Sequence, residues 1–241
     1  MRREAVLRGR HNGGLLPPFR AASLLLLLAL SAGALIASGC SNSESVHPAL
    51  RLEEEDYKKA VERARGLVTS RSDPARAYKT GMQQVNLRVG QDVIIREAAV
   101  CWPAEELAYL IVKNSADGTA VDRVAKQARR TVETDLKIEV VMQLPKAQDP
   151  SSLTFALKTS AGEEYPPLSV EPPIFIRDVA SALDPTMPAS AMYSYDVHFP
   201  IQGSPGFPPI GPGVTSLDLI VKDGTLQAAA SFAMPTQIRR Y

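Results

Sequence analysis

The stretch SLDLIVKDGTLQAAASF, residues 216–232, decides the fold. Asp223-Gly224 stands between two strand-like runs, and an Asp-Gly pair so placed is the strongest short-range signal for a β-hairpin. Working back from it, short strand-like runs recur at sandwich-like spacing. They are Lys137 to Leu144 (KIEVVMQL), Leu153 to Thr159 (LTFALKT), Ile174 to Asp178 (IFIRD) and Met192 to Phe199 (MYSYDVHF). Turn signals separate them and no helical stretch of crossover length intervenes, so the sheets are expected to be antiparallel. The expected fold is mainly β, an immunoglobulin-like antiparallel sandwich with an N-terminal amphipathic helix. The likeness is architectural, since the chain has no cysteine–tryptophan–cysteine framework.

The helix is expected over Leu52 to Ser70. Tyr57, Ala60, Val61, Ala64, Leu67 and Val68 form one apolar stripe, and Glu53 to Asp56 place acidic groups in the first turn, where the helix dipole favours them. Ser72-Asp73-Pro74 breaks it. From Gln83 the period changes to two, through Val85, Leu87 and Val89, then Val93 to Ile95 and Ala98 to Trp102. Leu107 to Lys113 (LAYLIVK) is a further apolar run, closed by the turn signal at 114–118. Ala120 to Thr134 carries a second helical stripe in Val121, Val124, Ala125, Ala128 and Val132.

The chain begins differently. Arg2, Arg3, Arg8, Arg10 and Arg20 precede an uncharged run, Ala21 to Ile36, which ends in Ala37-Ser38-Gly39-Cys40. As a helix this run spans roughly 24 Å, short of the roughly 30 Å hydrocarbon core. The leader resembles a bacterial lipoprotein signal peptide. That resemblance implies cleavage between Gly39 and Cys40 and acyl chains on Cys40, with two or more chains needed for a stable anchor. Ala37 stands where the family usually has leucine. Ser41, in place of aspartate after the lipidated cysteine, implies the outer membrane, facing the periplasm, in a cell with two membranes. The expected organisation is a signal peptide over 1–39 and a lipidated tether over 40–51. An N-terminal helix with the first strands follows over 52–135 and the sandwich portion over 136–241, with 52–241 as one domain the alternative.

Removing the leader takes five arginines and one glutamate from the 27 basic and 26 acidic side chains, leaving a net charge near −3 with His neutral. Such a balance lacks the clustered basic face that nucleic acid requires. With Cys40 lipidated, Cys101 is the remaining thiol and no internal disulfide can form.

Candidate chemistry is sparse. His11 leaves with the leader and His47 lies in the tether. Strand alternation puts Ser194, Asp196 and His198 on one face, but three residues in line along a strand cannot form a nucleophile relay, and no GxSxG elbow occurs. Asp196 with His198 gives at most two metal ligands. Cys101 beside Trp102 reads as a buried, inert thiol, and a pairing with His198 waits on the fold. Glu105-Glu106 and Glu163-Glu164 are adjacent pairs whose members point apart. No catalytic residue, metal site or cofactor is expected. Two loops are rich in proline: Tyr165 to Pro173 (YPPLSVEPP) and Pro200 to Gly213 (PIQGSPGFPPIGPG). The second carries Ile201, Phe207 and Ile210, which either dock into a partner or fold back on the sandwich. The expected function is a lipid-anchored binding or structural module for other envelope proteins. The alternatives are a carrier, marked by an apolar cavity between sheets, and an enzyme, marked by Asp196, His198 and Cys101 converging in a cleft.

Overall fold

The residues around Asp223-Gly224 form the expected hairpin. Strand β9 (Ser216–Asp223) pairs with β10 (Leu226–Ala233) in unbroken register from Asp223↔Leu226 to Ser216↔Ala233. The computed structural model describes residues 46–78, 82–115, 120–179 and 189–235, all within one unit, Asn42–Tyr241.

On the other side of β9 lies β4 (Thr154–Thr159), followed by the short β5 (Glu164–Tyr165), so this sheet runs β10-β9-β4-β5. A second sheet contains β1 (Gln83–Val89), β2 (Val93–Cys101), β3 (Asp135–Pro145) and β8 (Ser190–Pro200) in that order. Two further strands, β6 (Ser169–Val170) and β7 (Ile174–Val179), lie end to end along the far side of β8. Pairing is antiparallel throughout. The expected 135/136 boundary falls at the start of β3, whose sheet joins strands from both portions.

Alternation assigns one face of each sheet to a shared core. Ile138, Val140 and Met142 of β3 and Tyr195, Val197 and Phe199 of β8 bury with Phe155 and Leu157 of β4 and Leu217, Leu219 and Val221 of β9. Each such side chain contributes about 1.5–3 kcal/mol by leaving water.

Three α-helices form a second apolar cluster, where the sequence led us to expect two, over 52–70 and 120–134. Helix α1 (Glu54–Thr69) buries Ala60, Val61 and Ala64 and ends where Arg71 turns to φ 50°. The run at 107–113 is not part of the β pattern around it. It belongs to α2 (Pro103–Asn114), which has Pro103 in its first turn and buries Leu107, Ala108, Ile111 and Val112. Helix α3 (Val121–Thr134) buries Val121, Ala125, Ala128 and Val132, the stripe expected there. Within the segment expected as a tether, Val46 and Leu50 sit in the core shared by the two sheets and Pro48–Leu50 make a 3₁₀ turn capped by the His47 ring.

The larger sheet is irregular at one level. Its register shifts between Gln84 and Leu87 in β1, between Ile95 and Glu97 in β2, and between Phe175 and Arg177 in β7. Bulges bend a strand and re-aim its side chains. Ile95 and Ala98 stay in the core, so Arg96 and Glu97 both face outward.

Candidate functional site

The larger sheet turns its second face away from the shared core, and the polar residues of β2, β3 and β8 gather there. The register sets Cys101, Lys137 and His198 in one row across the three strands, with Glu139 and Asp196 in the next. Helix α2 lies over the Lys137 end. Lys137 Nζ is 3.3 Å from Glu106 Oε2 and 3.3 Å from Asp196 Oδ2. It also stands 4.6 Å from the ring centre of Tyr109 and 5.5 Å from that of Tyr78. The two rings stack at 5.0 Å, and the Tyr78 hydroxyl donates to Glu106.

A lysine in such a cage is held charged. Burial opposes its charge, but the carboxylates beside it, Glu106 and Asp196, outweigh burial and raise its pKa above the ordinary lysine value. Burial pushes the Cys101 thiol and the Tyr78 phenol up as well, so both stay protonated at neutral pH and the charge balance rests on the carboxylates. Burial, then the neighbouring Asp196 charge, raises Glu139.

This geometry ties a helix to a sheet; it does not assemble a nucleophile. Cys101 and His198 are two strands apart, roughly 10 Å, with Lys137 between them. Asp196 bonds Lys137, Ser194 Oγ donates to Glu139 at 3.3 Å, and His198 Nε2 lies 3.7 Å from Glu171. The three residues that alternation put on one face share that face and take separate partners. The face is not simply solvated, as a polar outer strand face would be: α2 covers Lys137 and leaves it 4% exposed. Glu106 is part of the cage, while Glu163 accepts from Thr159 and Glu164 pairs with Lys222 at 3.1 Å. Among the described residues no group of three or more metal-ligating side chains comes together.

The expected partner loop is turned inward. Ile201 and Ile210 are fully buried in the core, and Phe207 packs on the Tyr165 ring, centres 5.9 Å apart. The loop closes on itself through paired backbone bonds between Ser204 and Phe207. Of the two readings of these residues, folding back on the core is the one observed. Exposed apolar side chains lie elsewhere, on the β6–β7 edge: Leu168 is 52% exposed, Ile174 63%, Phe175 55% and Ile176 44%. Phe175 rests edge-on against Tyr193, ring centres 5.9 Å apart. Pro172-Pro173 ahead of β7 and the bulge at Ile176 both blunt it for strand pairing. The strand was legible in the sequence. Its exposure was not, because three consecutive apolar residues read as a buried strand.

Gly39 and Cys40 lie outside the described residues. Among the described residues no helix is long and apolar enough to cross a membrane. No family model, curated protein or solved structure matches the chain.

Proposed function

We propose that the protein is a lipid-anchored binding module of the cell envelope, held through acyl chains on Cys40 and binding another envelope protein along the β6–β7 edge. The observation that carries this reading is the set of exposed side chains Leu168, Val170, Ile174, Phe175 and Ile176 on β6 and β7, the outer strands of the larger sheet among the described residues. Exposed apolar side chains gathered on one edge of a domain support an interaction surface. The bulge and the prolines favour side-chain docking over strand addition. The immunoglobulin-like form of the sandwich is the finer part of the proposal, supported by two antiparallel sheets that share one core. Where the cell has two membranes, the anchor is in the outer one and the domain faces the periplasm.

The test is photo-crosslinking in the native cell. A photoreactive residue replaces Phe175 in one strain and Leu226, which is equally exposed at a distant hairpin, in another. A discrete adduct from position 175, absent from 226 and reduced by Cys40→Ser, supports the proposal. Equal adducts from both positions, or none from 175, overturn it.

A further inference from the structure

We propose that the outward face of the larger sheet carries a binding site for a small carboxylate, built on Arg96 and Arg177. The site lies at the opposite end of that face from Lys137 and is independent of the β6–β7 edge proposal.

The three bulges make it. The β2 bulge turns Arg96 outward beside Glu97, and the β1 bulge sets Asn86 at φ 51°, a conformation asparagine tolerates better than most residues. Asn86 then reaches Arg96 from one flanking strand while Gln143 reaches it from the other. Gln143 Oε1 accepts from Arg96 Nε at 2.9 Å and from Nη2 at 2.5 Å, and Asn86 Oδ1 accepts from Nη1 at 3.2 Å. Gln143 is itself oriented, because its Nε2 donates to Ser190 Oγ at 2.7 Å. The β7 bulge brings Arg177 opposite Met192 on the same face.

Charge and geometry then select the ligand. Both partners of Arg96 are neutral amides, so its guanidinium is fixed in place with no ion pair among the described residues. Of its five N–H groups, three are engaged, leaving one on each terminal nitrogen to donate to a carboxylate. Arg177 has no ion pair among the described residues. The two carboxylates beside the groove are already held: Glu97 accepts from Gln84, and Asp178 pairs with Lys146 at 2.9 Å. With Lys146 counted, the groove carries one positive charge in excess, which a monoanion balances. Its volume of about 400 Å³ falls in the range of small-molecule sites, and Met192 and Val179 supply an apolar wall.

The test is calorimetric titration of the full chain in detergent with N-acetylvaline and with N-acetylvalinamide, which differ in the carboxylate charge. We expect the acid to bind at least tenfold more tightly than the amide. Arg177→Gln should weaken the acid three- to tenfold with an unchanged melting temperature, and Arg63→Gln on α1 should have no effect. Arg96→Gln should abolish binding; if that variant does not fold, the amide comparison and Arg177→Gln decide. Equal binding of acid and amide, no binding of either at millimolar concentration, or full affinity in Arg177→Gln overturns the proposal. Tighter binding of inorganic phosphate than of the acid also overturns it.

Discussion

Lys137 on β3 and Glu106 on α2 form a buried ion pair, 3.3 Å from Nζ to Oε2, with side chains 5% and 7% exposed. Removing one member of such a pair leaves the other charge in a poorly hydrated site, and the loss is then about 3–5 kcal/mol. Lys137→Met should therefore destabilise the fold by that order in urea denaturation, since Glu106 and Asp196 both lose their cation. Glu106→Gln keeps the shape and should cost less. The double variant Lys137→Met, Glu106→Gln should be clearly more stable than the sum of the two changes predicts, because the stranded charge goes with the cation.

Glu139 gives a pH dependence of definite sign. Its pKa is raised by burial and by Asp196. Between the ordinary carboxylate value and the raised one, the folded state holds a proton that the unfolded state has released, so stability falls as pH rises through that window. Glu139→Gln removes this dependence while leaving an oxygen for Ser194 Oγ. The variant should be more stable than the natural chain at about pH 7, and the difference should vanish at about pH 4. A variant less stable at both values would show that ionised Glu139 is favourable to the fold.

Two glycines in the loop after β8 separate conformation from space. Gly203 has φ +80°, and a Cβ there would meet Phe207 O at 2.6 Å, a backbone atom that cannot step aside. Gly206 has φ +90° with nothing within 4 Å. Both Ala substitutions carry the strain of positive φ, about 1–3 kcal/mol, and Gly203→Ala adds a clash. Gly203→Ala should lower the melting temperature more than Gly206→Ala.

What the sequence disclosed follows the range of the interactions involved. The Asp223-Gly224 hairpin, the stripe of α1 and the stripe of α3 depend on neighbours within a turn or a strand, and each stands where periodicity puts it. Helix α2 carried local signals too, Pro103 and then Glu105 and Glu106. Its apolar run at 107–113 masked them, because a short run buried on most sides has no clear period. Lys137 was unreadable as a site: a lysine in KIEVVMQL reads as solvent-facing until α2 is laid over it. Alternation correctly put Asp196 beside His198 on one face, but the strand that separates His198 from Cys101 is fixed by long-range register. Ile201 and Ile210 show the same limit, since apolar residues among prolines and glycines do not say which way a loop folds.

The chain ahead of the helices enters its own core. Val46 and Leu50 are 4% and 1% exposed, and the His47 N–H donates to Ile210 O at 2.6 Å. Withdrawing those two side chains into water costs about 1.5–3 kcal/mol each, before the hydrogen bond is broken. Tension applied at Val46 is thus borne by the core between the sheets and the loop at Ile210. The domain resists being peeled from its leading end, and that end yields only with the core that grips it.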